Sequence, residues 1–105
     1  MNPILNIFEH KGVYFNEGTP IELADKLLKL KENRTRITLD YGDTETKQSW
    51  NEQFDITGYI GKTTGTKPML ILVYNNRSSG GGLISTNKIL TIKESKGKKL
   101  IYSIL

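Results

Sequence analysis

The chain contains no cysteine. Disulfides, thiolate nucleophiles and cysteine-based zinc or iron–sulfur sites are excluded by that alone. It has one histidine, His10, so a transition-metal site is not expected either. No apolar run approaches the roughly 18–20 residues needed to span a bilayer, and no membrane partner is expected. The first residues, Met1-Asn2-Pro3-Ile4-Leu5-Asn6, lack a basic segment followed by a long apolar block. They read as a start without a signal peptide, and the protein is expected in a cytoplasm. Linkers, repeats and low-complexity segments are missing as well, which leaves a single domain, 1–105.

What is present is an ordinary globular composition, 36% hydrophobic and 25% charged, with a net charge of +4. That charge is unevenly spread. Residues 1–55 carry seven basic and ten acidic side chains, net −3, whereas residues 56–105 carry eight basic side chains and the single acid Glu94, net +7. A basic half attracts phosphate-bearing partners by its field; a solvated, solubilising surface is the alternative.

Thr19-Pro20-Ile21-Glu22 has the form of a capping box, with Pro at the first helical position. Ile21, Ala24, Leu27 and Leu28 then recur at helical spacing, flanked by Leu23 and Leu30, which predicts a helix over about residues 20–32. The remainder reads as strands. Ile4–Phe8 and Val13–Phe15 flank His10-Lys11-Gly12. Ile37, Leu39 and Tyr41 alternate with polar residues. Phe54, Ile56 and Ile60 form one side of a strand with a bulge at Gly58. Met69–Tyr74 is apolar on both faces and is expected at the centre of the sheet. Ile84, Ile89–Ile92 and Leu100–Leu105 follow, the last two around a turn at Ser95–Lys98. The fold class is α+β: a curved, mostly antiparallel sheet or partly open small barrel with one α-helix.

Two loops carry anion-binding composition. Asn75-Asn76-Arg77-Ser78-Ser79-Gly80-Gly81-Gly82 follows the most apolar run of the chain. Arg77 offers a bidentate fork, and Ser78, Ser79, Gly80 and Gly81 offer hydroxyls and backbone N–H groups. Lys62, Thr63 and Thr64 offer the same chemistry in Gly61–Lys67. Gly61-Lys62-Thr63 is not a P-loop: Ile56 stands where the first glycine belongs, and Thr64–Pro68 cannot open the required helix. The two loops leave opposite ends of the apolar strand, so a symmetric homo-oligomer is the expected way to bring them together. Both also read as plain glycine-containing connections. Trp50 and Tyr59 are the candidates for stacking a base; Trp50, among polar neighbours, belongs at a rim. The acids Asp40, Asp43, Glu45, Glu52 and Asp55 lack calcium-loop spacing and are expected to cap turns and pair with Arg34 and Arg36. No nucleophile–base pair is evident around His10, so neither an enzyme nor a cofactor is expected.

Taken in order, Tyr41-Gly42-Asp43-Thr44-Glu45-Thr46, Trp50, Gly58-Tyr59-Ile60-Gly61-Lys62-Thr63-Thr64-Gly65 and Asn76-Arg77-Ser78-Ser79-Gly80-Gly81 resemble small proteins of unassigned function from bacterial phages, plasmids and integrated elements. The resemblance implies a bacterial host and an anti-defence role: a sponge that sequesters a phosphate-bearing nucleotide signal without altering it. Direct binding to a host defence protein, and sequence-tolerant nucleic-acid binding through Lys88, Lys93, Lys96, Lys98 and Lys99, are the alternatives.

Overall fold

Lys11 and Gly12 take positive φ, 52° and 80°, the geometry of a tight two-residue hairpin. They join β1 (Ile7–His10) to β2 (Val13–Asn16), with Phe8 opposite Phe15 and Glu9 opposite Tyr14. The computed structural model that shows this describes residues 6–60, 67–75 and 81–105.

The helix α1 spans Ile21–Asn33. The expected capping box does not form: the cap is Pro20, without a side-chain hydrogen bond. The Thr19 hydroxyl instead donates to the Asn16 carbonyl at 2.7 Å and lies 2.7 Å from the Thr86 hydroxyl, in a buried position. A tertiary partner has taken the oxygen that the local pattern assigned to the helix. The buried stripe is Leu23, Ala24, Leu27 and Leu30, while Ile21 is 52% exposed. Arg34 ends the helix in the left-handed region, φ 53°, ψ 38°. The Arg34 N–H donates to the Lys31 carbonyl at 3.1 Å and the Thr35 N–H to the Leu30 carbonyl at 3.0 Å, the paired bonds of a Schellman terminator.

Six strands form the main sheet: β3 (Ile37–Asp43), β4 (Gln48–Ile60), β5 (Ile71–Tyr74), β6 (Gly82–Ile84), β7 (Ile89–Glu94) and β8 (Leu100–Ser103). Their order is β6-β5-β4-β3-β7-β8, every neighbouring pair antiparallel. The sheet is not closed, and with the one helix it gives the α+β class with a mostly antiparallel sheet. Its centre is β3 and β4; β5, expected there, lies second from an edge. Met69 precedes β5 and makes a parallel bridge to Tyr14, which ties the first hairpin to the sheet. Register shifts fall at Asp40–Gly42 in β3 and between Ile56 and Gly58 in β4. Such bulges bend and twist a strand, and the second stands where Gly58 signals it. Both outer strands are short, which limits edge-to-edge pairing.

One core joins the layers. Leu23, Leu27 and Leu30 of α1 and Phe15 of β2 cluster with Ile37, Leu39, Ile56, Leu72, Ile84 and Ile92 of the sheet. Among the described residues no helix is long and apolar enough to cross a membrane.

Candidate functional site

Lys62, Thr63 and Thr64, and Arg77, Ser78, Ser79 and Gly80, lie outside the described residues. Gly81, Trp50 and Tyr59 lie within them. Gly81 has φ +118°, and a Cβ there would stand 2.6 Å from the Tyr74 carbonyl oxygen. A Cβ on Gly82 would stand 2.6–2.9 Å from the Tyr74 hydroxyl and ring. These two glycines therefore let β6 start flush against Tyr74.

Tyr74 is one member of an aromatic row that crosses β5, β4 and β3. Its ring centroid lies 4.4 Å from that of Phe54, Phe54 lies 5.0 Å from Tyr41, and Tyr41 lies 5.9 Å from Trp50 at an interplanar angle of 90°. The row follows from register. Leu39 faces Phe54 and Ile56 faces Tyr74, so both aromatics extend the core-facing side of the sheet. The bulge at Asp40–Gly42 then brings Tyr41 into line. Tyr41, Phe54 and Tyr74 are half-buried against the core, whereas Trp50 is 54% exposed. The Lys88 ammonium sits 5.7 Å from the Trp50 ring centroid, within cation–π range.

The hairpin that carries Trp50 is fixed from below. Asp43 Oδ1 accepts from the N–H groups of Glu45 at 2.8 Å and Thr46 at 3.2 Å. Those backbone bonds, Thr46 first, hold the Asp43 carboxyl below its usual range, with help from the Lys88 charge. The arrangement presents a supported, solvent-facing indole with an ammonium beside it. Its chemistry suits a flat aromatic group that carries negative charge.

Tyr59 stands elsewhere. It faces Leu72, nine residues along β4 from Trp50, a span of about 30 Å at strand rise. Its hydroxyl donates to the Thr35 carbonyl at 2.7 Å, and burial pushes its pKa up to about 12. The two stacking candidates therefore do not converge in one protomer. A phenol whose folded pKa exceeds its unfolded value stabilises fully below pH ~10, and that contribution is lost as pH rises through ~12. Discounted for the solvent-facing part of the ring, the loss is about 1–2 kcal/mol. Urea unfolding at pH 9 and pH 11.5 should show it, and Tyr59→Phe should remove that part of the difference, leaving the part due to Tyr102 and Lys67, whose pKa values are also raised.

The acidic residues divide as their neighbours dictate. Asp55 pairs with Arg36, Nη2 at 2.7 Å and Nε at 3.3 Å, and lies below its usual pKa range because of that hydrogen bond. Arg34, expected to pair likewise, has no carboxylate partner among the described residues. No group of three His, Asp or Glu side chains that could hold a metal occurs among the described residues. His10 Nε2 lies 2.7 Å from Asp25 Oδ1, with Lys11 at 2.8 Å from the same oxygen. The Lys11 bond, followed by that of His10, lowers the Asp25 pKa, and the trio ties the first hairpin to α1.

Phe54 carries no sequence signal for a site, and Lys88 enters there only through the nucleic-acid alternative. Counting the β3 bulge would have aligned Tyr41 with Phe54; the Lys88 position follows from the 3-10 turn Thr86–Lys88, which has no local signature. No family model, curated protein or solved structure matches this chain.

Proposed function

We propose that this protein is a non-catalytic binding module that captures a phosphate-bearing nucleotide. The base stacks on Trp50, and Lys88 faces the ligand's negative charge. The observation that supports this reading is the exposed indole of Trp50, backed edge-on by Tyr41 and flanked by the Lys88 ammonium. A large exposed aromatic with rigid aromatic support is an uneconomical way to fill a core and a suitable way to receive a planar ring. Sequestration of a nucleotide immune signal, as an anti-defence sponge, is the biological form of the proposal; it rests on the resemblance to phage and plasmid proteins.

Trp50 is the only tryptophan in the chain, so its emission reports on this site alone. Titration with cyclic dinucleotides, cyclic ADP-ribose isomers and simple mononucleotides is expected to give saturable quenching with at least one of them. Trp50→Ala, followed by calorimetry, should weaken that ligand by about 5- to 150-fold, the equivalent of a stack worth about 1–3 kcal/mol. Lys88→Ala should weaken it less and flatten its salt dependence. Unchanged emission and no heat with every nucleotide would remove the reading. A stoichiometric host-protein complex insensitive to Trp50→Ala would replace it with the protein-binding alternative.

A further inference from the structure

The opposite end of β4 holds a second feature, independent of the aromatic row. Past the Ile37–Ile56 pair, β4 continues to Ile60 beside β5, but β3 begins only at Ile37. One backbone edge of β4 is left without a strand partner there, and the chain leaving α1 passes over the gap. The result is a cavity of about 330 Å3 between Arg34, Thr35 and Arg36 on one side and Thr57, Gly58 and Tyr59 on the other. Its volume is at the small end of ligand sites.

Among the described residues the lining is cationic, hydroxyl-bearing and apolar, with Asp55 bonded to Arg36. Arg36 is held in plane by its two bonds to Asp55, which leave its second terminal amine, Nη1, directed away from that pair. Arg34 has no ion-pair partner among the described residues. Ile56 lines the same cavity and is buried; an apolar wall strengthens charge interactions beside it. Arg34 occupies the left-handed terminator position, φ 53°, where glycine is the residue that avoids strain. Lys11, Lys47 and Lys98 take the same conformation at turns, φ 52°, 60° and 58°. At Gly58, beside the β4 bulge, an added Cβ would meet nothing nearer than the Val73 Cβ at 3.9 Å.

We infer that this notch binds a small phosphoryl anion, gripped by Arg34 and by the Asp55-oriented Arg36. The planar fork of a guanidinium matches two phosphate oxygens; the Thr57 hydroxyl at the same cavity is already engaged, donating to the Val73 carbonyl at 3.4 Å.

The test is an amide and arginine Nε–Hε NMR titration of the whole chain with pyrophosphate and with inorganic phosphate, malonate serving as the dicarboxylate comparison. Saturable shifts confined to Arg34, Thr35, Arg36, Thr57 and Gly58 are expected, strongest with pyrophosphate and weak with malonate. Arg34→Gly should reduce affinity at least tenfold while its Tm stays at or above the wild-type value, so lost binding cannot be ascribed to unfolding. Arg34→Lys should bind with intermediate affinity. Shifts spread evenly over the basic residues, equal binding of malonate, or full affinity in Arg34→Gly would each overturn the inference. Trp50 emission should not respond to pyrophosphate, so this site and the base-stacking site succeed or fail separately.

Discussion

Gly42→Ala is expected to cost about 2–4 kcal/mol of stability and to abolish nucleotide capture at Trp50 in the same stroke. Gly42 faces Ser49 across the β3–β4 ladder. A Cβ at residue 42 would overlap the Gln48 carbonyl oxygen and stand 2.8 Å from the Trp50 nitrogen and 2.9 Å from the Ser49 Cα. Every one of these atoms is backbone, so no rotamer change relieves the clash and the two central strands must part. Overpacking alone costs typically 1–3 kcal/mol, and each ladder hydrogen bond given up adds about 1 kcal/mol. The parted segment is the one that sets Trp50 against Tyr41, so the near-ultraviolet circular dichroism of the indole should collapse along with the urea midpoint. A loss under about 0.5 kcal/mol with an unaltered tryptophan spectrum would show that the hairpin yields in some other way.

Phe15→Ala is expected to be more damaging to the fold and less specific for the site. Phe15 is fully buried, its ring 5.9 Å from that of Phe8 and 6.4 Å from the His10 ring. Truncating a buried phenylalanine costs about 3–5 kcal/mol, a large share of the 5–15 kcal/mol that a domain holds. The damage should be directional. Phe15 anchors the first hairpin to the core, and the neighbouring Tyr14 exchanges backbone bonds with Pro68 at 2.8 Å and Leu70 at 2.9 Å. Hydrogen exchange should therefore accelerate first in β1, β2 and the start of β5, with the β3–β7 amides protected longest. Uniform acceleration across all strands would indicate that hairpin and sheet open as one unit.

Much of the architecture could be read from local pattern because local physics dominates it. The helix is legible in the spacing of Ile21, Ala24, Leu27 and Leu28, although the face it buries is Leu23, Ala24, Leu27 and Leu30; the bulge is legible in Gly58, and the last hairpin in Ser95–Lys98, where Gly97 and Lys98 take positive φ and the Glu94 N–H reaches the Lys99 carbonyl at 2.9 Å. What could not be read is non-local. Thr19 has the sequence context of a helix cap, and nothing within ten residues reveals that Thr86, 67 positions away, will meet its hydroxyl. Apolarity on both faces of Met69–Tyr74 signalled burial, but burial does not specify rank within a sheet. Met69 and Leu70 are covered by the first hairpin rather than by flanking strands. For the site, polar neighbours placed Trp50 correctly at a rim. They could not supply Lys88 or the aromatic row, because those contacts depend on how β3, β4 and β5 register. Arg34 and Arg36, two residues apart, look alike in sequence; only the helix terminator and the Asp55 contact give them different tasks.

The strand order carries a consequence for synthesis. β7 inserts beside β3, a strand made some fifty residues earlier. A growing chain that has emerged as far as Ile84 can fold the β3–β4–β5–β6 meander, yet the backbone N–H and C=O groups on the other edge of β3 stay unpaired until Ile89–Glu94 arrives. Thr86, which meets Thr19 and Asn16, emerges in the same late stretch. The first-made hairpin and helix thus wait for the last third of the polypeptide to lock them down. At translation rates of about 5–20 residues per second, that interval is seconds long, a window in which a ribosome-associated chaperone would find a sticky, half-clothed sheet.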